Sequence, residues 1–497
     1  MSVSSRDSAA GAGWHGQEPG QFESLMPERV KKLSWLNPAT LWSARNGPLA
    51  SLFGDPTNEE RQRWVAGQLD RGVPADFVIE RDDPETYSFM LIADTGEGDA
   101  PQYAVVPGLL EAGEGSRFAV LSSDVIYPVG SADDYGPKFF RPYRDYNAPI
   151  YAIPGNHDWY DGLTGFMRVF CEALALPAAA RPKVLSAGWW RTLLWKSPAA
   201  ADEQRLAEAR SLRSAPAQQS EQPGPYWAID SGPLRIIGID TGLLGGIDKE
   251  QGEWLRRVSQ GPRPKILVTG SPIYVDDKYH PCAIEGGGTV DEIVRDADCH
   301  YVAAIGGDIH NYQHYPVDVD GRTIEYVVSG GGGAFMHATH IIPRVTVAGV
   351  TEQDFHCYPL RGDSLAFYGG LYGRRLRMKR FFALTSEQAS AVIAKRLGIP
   401  PTRTTTAAVT LRTRLVASLL GVPSRPHGRS WFRLPVRKIY TQVLSPGSVT
   451  YTPPFFKSFL RLDVTPQDLR IRCFAATGYR EQEVAPPVED DFTIPLG

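Results

Sequence analysis

Short apolar runs that end in polar turns recur through the middle of the chain. Six of them have the length of buried strands, and acidic or other polar residues follow each: YSFMLIADTG, RFAVLSSD, APIYAIPGNHD, LRIIGIDTG, KILVTGSP and HYVAAIGGD. Helical spacing lies between some of these runs, as in GLTGFMRVFCEALAL, which places its apolar residues on one face. The pattern predicts an α/β fold with ligands at the carboxyl ends of the strands.

The segments on either side of these runs have a different pattern of polar and apolar residues. Residues 1–20 are small and polar, and residues 27–84 carry scattered helical spacing. A basic stretch follows the strand-rich part, and SFLRLDVTPQDLRIRCFAATG then reads as a β-hairpin. We therefore predict four parts, which are listed here by residue number: a partly disordered N-terminal extension over 1–84, the main α/β domain over 85–358, a basic accessory insertion over 359–445, and a C-terminal β-hairpin and tail over 446–497.

Charge is uneven along the chain, although the net charge is only -4. Between Arg361 and Ser445 there are 16 Lys and Arg against two Asp and Glu. RRLRMKRFF and LRTRLVASLLGV interleave cations with apolar residues, which is typical of helices at a membrane interface. An anionic membrane surface, a protein partner and a solvated face remain three interpretations of this insertion. No nucleic-acid-binding module is recognisable, so nucleic acid is not predicted as a partner.

Cysteine usage and the chain's start bear on localisation. The five cysteines are odd in number and form no C-x-x-C pair, which favours free thiols in a reducing compartment. The N-terminus has no basic region followed by an apolar run, and no window approaches 18 apolar residues. We expect a cytoplasmic protein. The basic insertion leaves open that this protein attaches peripherally to a membrane.

The strand ends carry the candidate chemistry. Their donors are carboxylates, amides, a phenol and imidazoles, without a cysteine: Asp94, Asp124, Tyr127, Asn156, His157, Asp158, Asp308 and His310. Singly, an Asp here often caps a turn, and a Tyr or His is often a packed structural residue. Together they suit first-row metal ions, and two ions about 4 Å apart need a bridging carboxylate with ligands from several strands.

This ordered set resembles the calcineurin-like metallophosphoesterases, and Tyr127 points to their purple acid phosphatase branch. DTG at Asp94, DVIY at Asp124 and GNHD at Gly155 follow the family's order, about 30 residues apart. IIGIDTG followed by KEQGEWLRRV is similar to a further family segment, Asp-Thr…Gln-x-x-Trp-Leu. The resemblance covers about residues 87–335.

The resemblance implies a two-sheet β-sandwich flanked by helices, with residues 85–358 as the catalytic domain. It implies a metal-dependent phosphoesterase that hydrolyses phosphate mono- or diesters by in-line attack of a metal-bound hydroxide. One or two ions of Fe, Mn or Zn are expected. By the resemblance, the first ion is held by Asp94, Asp124, Tyr127 and His310. Asp124 then bridges to a second ion bound by Asn156, and His157 lies beside the leaving group, oriented by Asp158.

Two positions depart from the family pattern. Gly270, in VTGSPIY, stands where the family has a histidine, and Asp308 stands where it has another. Asp308 retains a ligand atom, whereas Gly270 has none, so His280 is our candidate substitute as a metal or substrate ligand. The departures leave three alternatives open: a mononuclear enzyme, a phosphodiesterase or nuclease of the same fold, and a catalytically decayed scaffold that binds an anionic surface. The Gly-rich run at 330–333 lacks the Lys-Ser/Thr of a P-loop and is predicted as a tight turn behind the metal site.

Overall fold

The computed structural model describes residues 18–27, 37–173, 194–196, 201–403, 405–423, 433–436 and 453–497. Residues 1–17 and 28–36 of the predicted N-terminal extension lie outside the described residues. So do residues 404, 424–432 and 437–452, which fall in the predicted basic insertion and at the start of the predicted C-terminal part.

The strands of the described chain are β1 (Val78–Arg81), β2 (Tyr87–Ile92), β3 (Ala119–Leu121), β4 (Ile150–Ala152), β5 (Trp227–Ser231), β6 (Leu234–Ile239), β7 (Lys265–Thr269), β8 (Tyr274–Val275), β9 (Lys278–Tyr279), β10 (Tyr301–Gly306), β11 (Tyr312–Val319), β12 (Arg322–Ser329), β13 (His356–Tyr358), β14 (Lys457–Val464), β15 (Asp468–Ala476) and β16 (Val488–Pro495).

The α-helices of the same residues are α1 (Phe22–Leu25), α2 (Pro38–Ser43), α3 (Asn46–Phe53), α4 (Thr57–Asp70), α5 (Ala100–Ala112), α6 (Asn156–Trp159), α7 (Thr164–Phe170), α8 (Glu203–Ser211), α9 (Lys249–Val258), α10 (Val290–Arg295), α11 (Arg361–Arg375), α12 (Lys379–Phe382), α13 (Ser386–Leu397) and α14 (Leu411–Leu419).

Two large sheets form the centre of the fold. One has the strand order β1-β5-β6-β7-β10-β12-β11-β13 and the other β16-β15-β14-β2-β3-β4. Within them, β2, β3 and β4 run parallel, as do β6, β7 and β10. These are the six strands predicted from the apolar runs. The predicted α/β class, with two sheets flanked by helices, is therefore confirmed.

Alternation along β2 shows why the sheets pack as they do. Phe89 and Leu91 lie in the core between the two sheets, together with Ile236 of β6. Met90 and Ile92 point to the opposite face, where they join a second apolar cluster. Since successive side chains of a strand face opposite sides, a strand covered on both sides reads as one apolar run. All six residues of β2 are buried accordingly.

Helices cover the outer faces of both sheets. α5 contacts β14 and β15 of the six-stranded sheet. Trp254 and Leu255 of α9, with Val290 at the start of α10, pack with Leu267 of β7 outside the eight-stranded sheet. This layering leaves the strand ends at the edges of the sheets, where loops can bring polar groups together.

The segments before and after the predicted main domain contribute strands to these sheets. The predicted C-terminal hairpin is present as β14 and β15, and β14 pairs with β2. β1 pairs with β5, so the eight-stranded sheet takes its edge strand from the segment that we assigned to the N-terminal extension. All five cysteines are free thiols, as expected.

The described part of the basic insertion is a group of helices, α11 to α14, with an apolar interior. Leu365, Val392 and Val416 are buried there, in the cluster that continues from the core between the sheets. His340 joins this group to the sheets, because its Nδ1 lies 2.8 Å from Ser364 Oγ and its Nε2 lies 2.9 Å from the Leu420 carbonyl. Among the described residues, no helix has the length and apolarity needed to cross a membrane.

Candidate metal centre

Loops after β2, β3 and β10 bring three of the predicted ligands together around the phenol of a fourth, Tyr127. Asp94 follows β2, Asp124 follows β3, and His310 follows β10. The hydroxyl of Tyr127 lies 3.1 Å from Asp94 Oδ1, 2.9 Å from Asp124 Oδ2 and 3.1 Å from His310 Nε2. His310 Nε2 is 3.8 Å from Asp94 Oδ1. With bonds of about 2.1 Å, neighbouring ligand atoms of an octahedral ion lie about 3 Å apart, which is the spacing of the three contacts to Tyr127.

The group holds more acceptors than donors. A phenol has one proton, so Tyr127 can donate to only one of the two carboxylates. His310 Nδ1 lies 2.7 Å from the Phe335 carbonyl, and donation to that oxygen leaves Nε2 as a further acceptor. Asp94 Oδ2 is buried without a hydrogen-bonding partner in the described structure. Because buried acceptors normally have partners, this excess fits a bound cation.

The backbone at three predicted ligands is in the left-handed region. The φ angles are 58° at Asp94, 26° at Asp124 and 62° at Asp308. Asp adopts this region more readily than most residues, but each instance still costs free energy. Three of them at one group of strand ends indicate a site whose geometry is held by the surrounding fold.

Close approach of the backbone requires glycine at two of the loops. A Cβ at Gly155 would lie 2.1 Å from Asp124 Oδ1, and a Cβ at Gly330 would lie 2.2 Å from the Ile309 carbonyl and 2.8 Å from Asp94 Oδ2. Gly155 therefore lets the GNHD loop reach Asp124, and Gly330 places the Gly-rich turn directly behind Asp94.

The GNHD loop brings the backbone N–H of His157 to the other oxygen of Asp124. The backbone N–H of His157 donates to Asp124 Oδ1 at 2.8 Å, while Oδ2 faces Tyr127. His157 Nδ1 lies 2.9 Å from the Pro128 carbonyl, and its ring packs between Tyr127 and Tyr160 at centroid distances of 4.4 and 4.7 Å. Donation to Pro128 makes Nε2 the nitrogen that can exchange a proton with a substrate.

Asp158 does not orient His157, and that part of the prediction needs correction. Its Oδ2 accepts from the N–H groups of Val125 and Gly155 at 3.0 Å, and its Oδ1 accepts from Ile126 N–H at 3.3 Å. Burial and the charge of Asp124 raise the pKa of Asp158 to about 8, although these N–H groups favour its ionised form. Asp158 thus ties the GNHD loop to the loop after β3, and the Pro128 carbonyl holds the imidazole.

Asn156 and Asp308 lie beside this group. Asn156 Oδ1 is buried without a partner in the described structure, and its Nδ2 donates to the Tyr160 hydroxyl at 3.3 Å. Asp308 is half-buried, and its backbone N–H donates to Asp94 Oδ1 at 3.2 Å. The amide oxygen of Asn156 is therefore a candidate ligand for a second ion, and ligation by Asp308 stays a prediction.

The place left by Gly270 is lined by hydroxyl groups. A Cβ at Gly270 would lie 2.8 Å from Thr241 Oγ1 and 3.3 Å from the Pro154 carbonyl. Thr241 Oγ1 is in turn 3.5 Å from Ser271 Oγ. His280 is exposed after β9, and in the described structure no hydrogen bond or ring contact links its side chain to the predicted ligands. Its role as a substitute ligand stays a prediction.

Burial and crowding of carboxylates dominate the electrostatics of the centre. Burial, with the charges of Asp124 and Asp308, raises the pKa of Asp94 well above its usual range. Burial, Asp124 and Asp94 likewise raise the pKa of Tyr127. Negative charge here is costly unless a cation lies beside it, and a bound cation would lower both pKa values.

A buried lysine behind the centre was missed by the sequence analysis. Lys457, at the start of β14, donates to the Ala334 carbonyl and lies near Glu97, Asp99 and Asp94. Burial lowers its pKa to about 8 and raises those of Glu97 and Asp99 to about 8 and about 6. No local signal marks a lysine at the start of a late hairpin strand; only the pairing of β14 with β2 brings it there.

His337 is a second neighbour that the sequence motifs did not indicate. Its Nδ1 accepts from the backbone N–H of His310 at 3.1 Å, and the two rings stack at 4.4 Å with an interplanar angle of 5°. With Phe335, whose ring lies 4.6 Å from that of His310, it fixes the imidazole from behind.

Comparisons with known proteins give only distant similarities. No protein-family model matches the sequence, and no curated protein matches it. Among solved structures, purple acid phosphatase PPD1 from yellow lupin seeds matches 83% of this chain at 10% identity with a TM-score of 0.34. This chain spans about half, 54%, of the lupin protein.

Two further structures are similar to the same degree. A structure of PhoD matches 84% of this chain and 70% of its own, at 11% identity and a TM-score of 0.35. A phosphopantetheinyl hydrolase from Mycobacterium tuberculosis matches 50% and 91%, at 15% identity and a TM-score of 0.28. Similarities this weak carry no argument about activity, so the chemistry of this protein has to be inferred from the geometry of its own centre.

Proposed function

We propose that the protein is a metal-dependent phosphoesterase that hydrolyses phosphate mono- or diesters. The main support is the position of Asp124, whose two oxygens connect an acceptor-rich group to the loop that carries His157. Two-metal hydrolysis requires a carboxylate that is shared between two sets of metal ligands. The order of the DTG, DVIY and GNHD motifs, which resembles the purple acid phosphatase branch, supports the same conclusion.

The residues present would hold the ions in two groups. Asp94, Tyr127 and His310 would bind the first, Asn156 the second, and Asp124 both. When bound, ions of Fe, Mn or Zn at such a centre polarise phosphoryl oxygens and lower the pKa of the attacking water. Because three of these residues are at most 1% exposed, the water-poor surroundings strengthen each electrostatic contact.

His157 supplies the proton step. Its Nδ1 faces the Pro128 carbonyl, and the imidazole, when protonated, donates from Nε2 to the departing alkoxide as the P–O ester bond breaks. The new bond forms between the water oxygen and phosphorus, and the proton lost by that water leaves to solvent. The Pro128 carbonyl and the rings of Tyr127 and Tyr160 keep the imidazole in place during this step.

The proposal is tested with purified protein, p-nitrophenyl phosphate and bis-p-nitrophenyl phosphate, each with Mn²⁺, Fe²⁺ or Zn²⁺. We expect metal-dependent turnover of at least one ester, lost in Asp124→Asn and retained in Asp82→Asn. Asp82 is an exposed carboxylate outside the centre, so it makes the same chemical change without touching a proposed ligand. The ratio of the two activities separates a monoesterase from a diesterase. Absence of both turnover and bound metal would favour the decayed scaffold.

A second candidate function concerns the basic insertion, and we propose that it binds an anionic membrane surface. The turn from α11 into α12 leaves residues 374–380 exposed, including Leu376 at 45% and Met378 at 48%. Leu411 and Leu415 of α14 are 74% and 47% exposed. This basic-apolar surface, formed by residues 374–380, Leu411, Arg414 and Leu415, combines cations with apolar side chains, as interfacial helices do.

Contacts of Arg412 hold the two parts of the basic-apolar surface together. Its guanidinium donates to the carbonyls of Arg380, Phe381 and Ala383 at 3.2, 3.0 and 2.7 Å. The start of α14 therefore lies against α12, on the side of the exposed turn.

Vesicle sedimentation tests this surface. We expect binding to vesicles of phosphatidylserine and phosphatidylcholine but not to phosphatidylcholine alone, and loss of binding when Arg374, Arg375 and Arg377 are changed to Glu. Reversal of the exposed Arg144, Arg205 and Arg256 elsewhere is the matched control. Equal binding by the two triple variants would overturn the proposal. So would a parent protein that does not bind the vesicles, the result expected if this surface binds a protein partner instead.

A further inference from the structure

A second group of metal-ligating side chains lies where the edges of the two sheets meet. His314 of β11 and His356 of β13 are direct cross-strand partners, and β13 is the edge of the eight-stranded sheet. Asp490 belongs to β16, the edge strand of the other sheet. One ligand atom from each of the three lies within 4.8 Å of the others, the one such group of His, Cys, Asp and Glu in the described residues.

We propose that this sheet-edge cluster, His314, His356 and Asp490, binds a divalent transition-metal ion of the Zn²⁺ type. Two imidazoles and one carboxylate are a ligand set that Zn²⁺ accepts, with a fourth position left for water. Ligand atoms of a tetrahedral zinc ion lie about 3.3 Å apart. His314 Nδ1 and Asp490 Oδ2 are now 2.8 Å apart, so a shift of half an ångström makes room for shared coordination.

The residues around the sheet-edge cluster are arranged as outer partners of a metal site. His314 Nε2 lies 2.8 Å from Glu325 Oε2, so this carboxylate can fix the imidazole whose Nδ1 faces Asp490. A carboxylate on the far nitrogen of a ligating histidine is the common second partner in zinc sites. The Tyr312 hydroxyl donates to Asp490 Oδ2 at 2.7 Å and orients that carboxylate in the same way.

Burial and access also fit a bound ion. His314 is 5% exposed, and the ring of Phe492 stacks on it at a centroid distance of 4.0 Å, which excludes water from one side. His356 is half-buried, so an ion can reach the cluster from solvent on that side. The ion would join the edges of the two sheets, since its ligands come from both.

Co²⁺ titration of the full chain tests the proposal, because four-coordinate Co²⁺ has a strong visible absorption. The titration is done in the Asp124→Asn background, which removes the shared carboxylate of the proposed catalytic centre. We expect one equivalent of Co²⁺ with this absorption, and its loss in both His356→Ala and Asp490→Asn. His300→Ala is the matched control, because His300 is also half-buried but lies outside the cluster.

The midpoint of thermal unfolding in the presence of Zn²⁺ is a second measure of metal binding. Binding to the folded state alone raises the midpoint with ligand concentration. We expect this rise in the Asp124→Asn and His300→Ala variants and its loss with His356→Ala. An absence of the absorption and of the rise in the Asp124→Asn background would mean that the sheet-edge cluster is an ion-pair network only, and would overturn the proposal. The catalytic centre is tested by ester hydrolysis, so either proposal can fail without the other.

Discussion

Two buried groups of histidine and carboxylate in this protein differ in how their polar atoms are satisfied. In the sheet-edge cluster, each nitrogen of His314 faces a carboxylate oxygen at 2.8 Å. In the centre at the strand ends, three acceptors surround the single proton of Tyr127, and Asp94 Oδ2 has no partner in the described structure. The first group can be stable without an ion, whereas the second leaves acceptors uncompensated, which is the stronger reason to expect a cation there.

The two groups also differ in where their residues come from. Side chains on the faces of strands form the sheet-edge cluster, and cross-strand pairing fixes their positions. The candidate metal centre is built from loops, with left-handed backbone at Asp94, Asp124 and Asp308. Strained loops held by a rigid sheet are typical of sites that act on ligands.

The largest expected effect comes from the shared carboxylate. Asp124→Asn keeps an oxygen that can accept from His157 N–H but removes the negative charge between the two groups of ligands. We expect kcat/KM for ester hydrolysis to fall about 10³-fold or more, because a preorganised charge at the reacting centre has effects of this size. Steady-state kinetics at saturating metal measure it. An activity of Asp124→Asn within a few-fold of the parent would contradict the claim that the group at the strand ends is the one that needs a cation.

His157→Ala is expected to reduce kcat by about 10²-fold with metal content unchanged, because it removes a proton donor and no proposed ligand. The loss should be larger for glycerol phosphate than for p-nitrophenyl phosphate, since nitrophenolate leaves without protonation. Parallel assays of the two esters measure this difference, with His300→Ala as the control. Equal losses on both esters would show that His157 does not protonate the leaving group.

Asp158→Asn separates the observed role of this residue from the predicted one. The change replaces an acceptor of three backbone N–H groups by an amide with one acceptor oxygen. We expect a loss of about 2 kcal/mol in the free energy of unfolding, the usual cost of leaving buried donors unsatisfied. Denaturant unfolding measures it. If Asp158 instead oriented the imidazole, the ratio of aryl to alkyl ester activity would change as it does in His157→Ala.

The smallest effect concerns His340, a third buried histidine with neutral partners only. Burial lowers its pKa from 6.5 to about 4, so the folded state holds it neutral. The resulting stability is present above pH 6.5 and is lost as the pH falls towards 4, because the unfolded chain then binds the proton first. Between pH 7 and 5.5 we expect roughly 1 kcal/mol of lost stability from this group. His340→Asn should reduce that pH dependence; an unchanged pH dependence would contradict the assignment.

Much of the candidate metal centre could be predicted from the sequence because its residues follow strands directly. An apolar run fixes a strand, the parallel arrangement fixes the edge where the strand ends, and Asp94, Asp124 and His310 lie within a few residues of that point. The fold class was predicted on the same grounds, since β2 and its neighbours are covered on both faces.

What could not be predicted depends on pairing between distant strands. The resemblance implied Asp158 as the partner of His157, but the loop after β3 supplies two of the three N–H groups that it binds. Lys457 and Asp490 reach their sites only because β14 pairs with β2 and β16 lies at a sheet edge. Spacing along the chain carries no signal of such contacts.

The central claim is that the strand ends bind the catalytic ion, and anomalous diffraction from a crystal soaked in Mn²⁺ tests it most directly. We expect an anomalous peak within about 2.2 Å of Asp94, Asp124 and His310, the bond length of such ions to oxygen and nitrogen. The same soak of Asp124→Asn should weaken or remove the peak. A fully soaked crystal with no peak at these residues would contradict the claim.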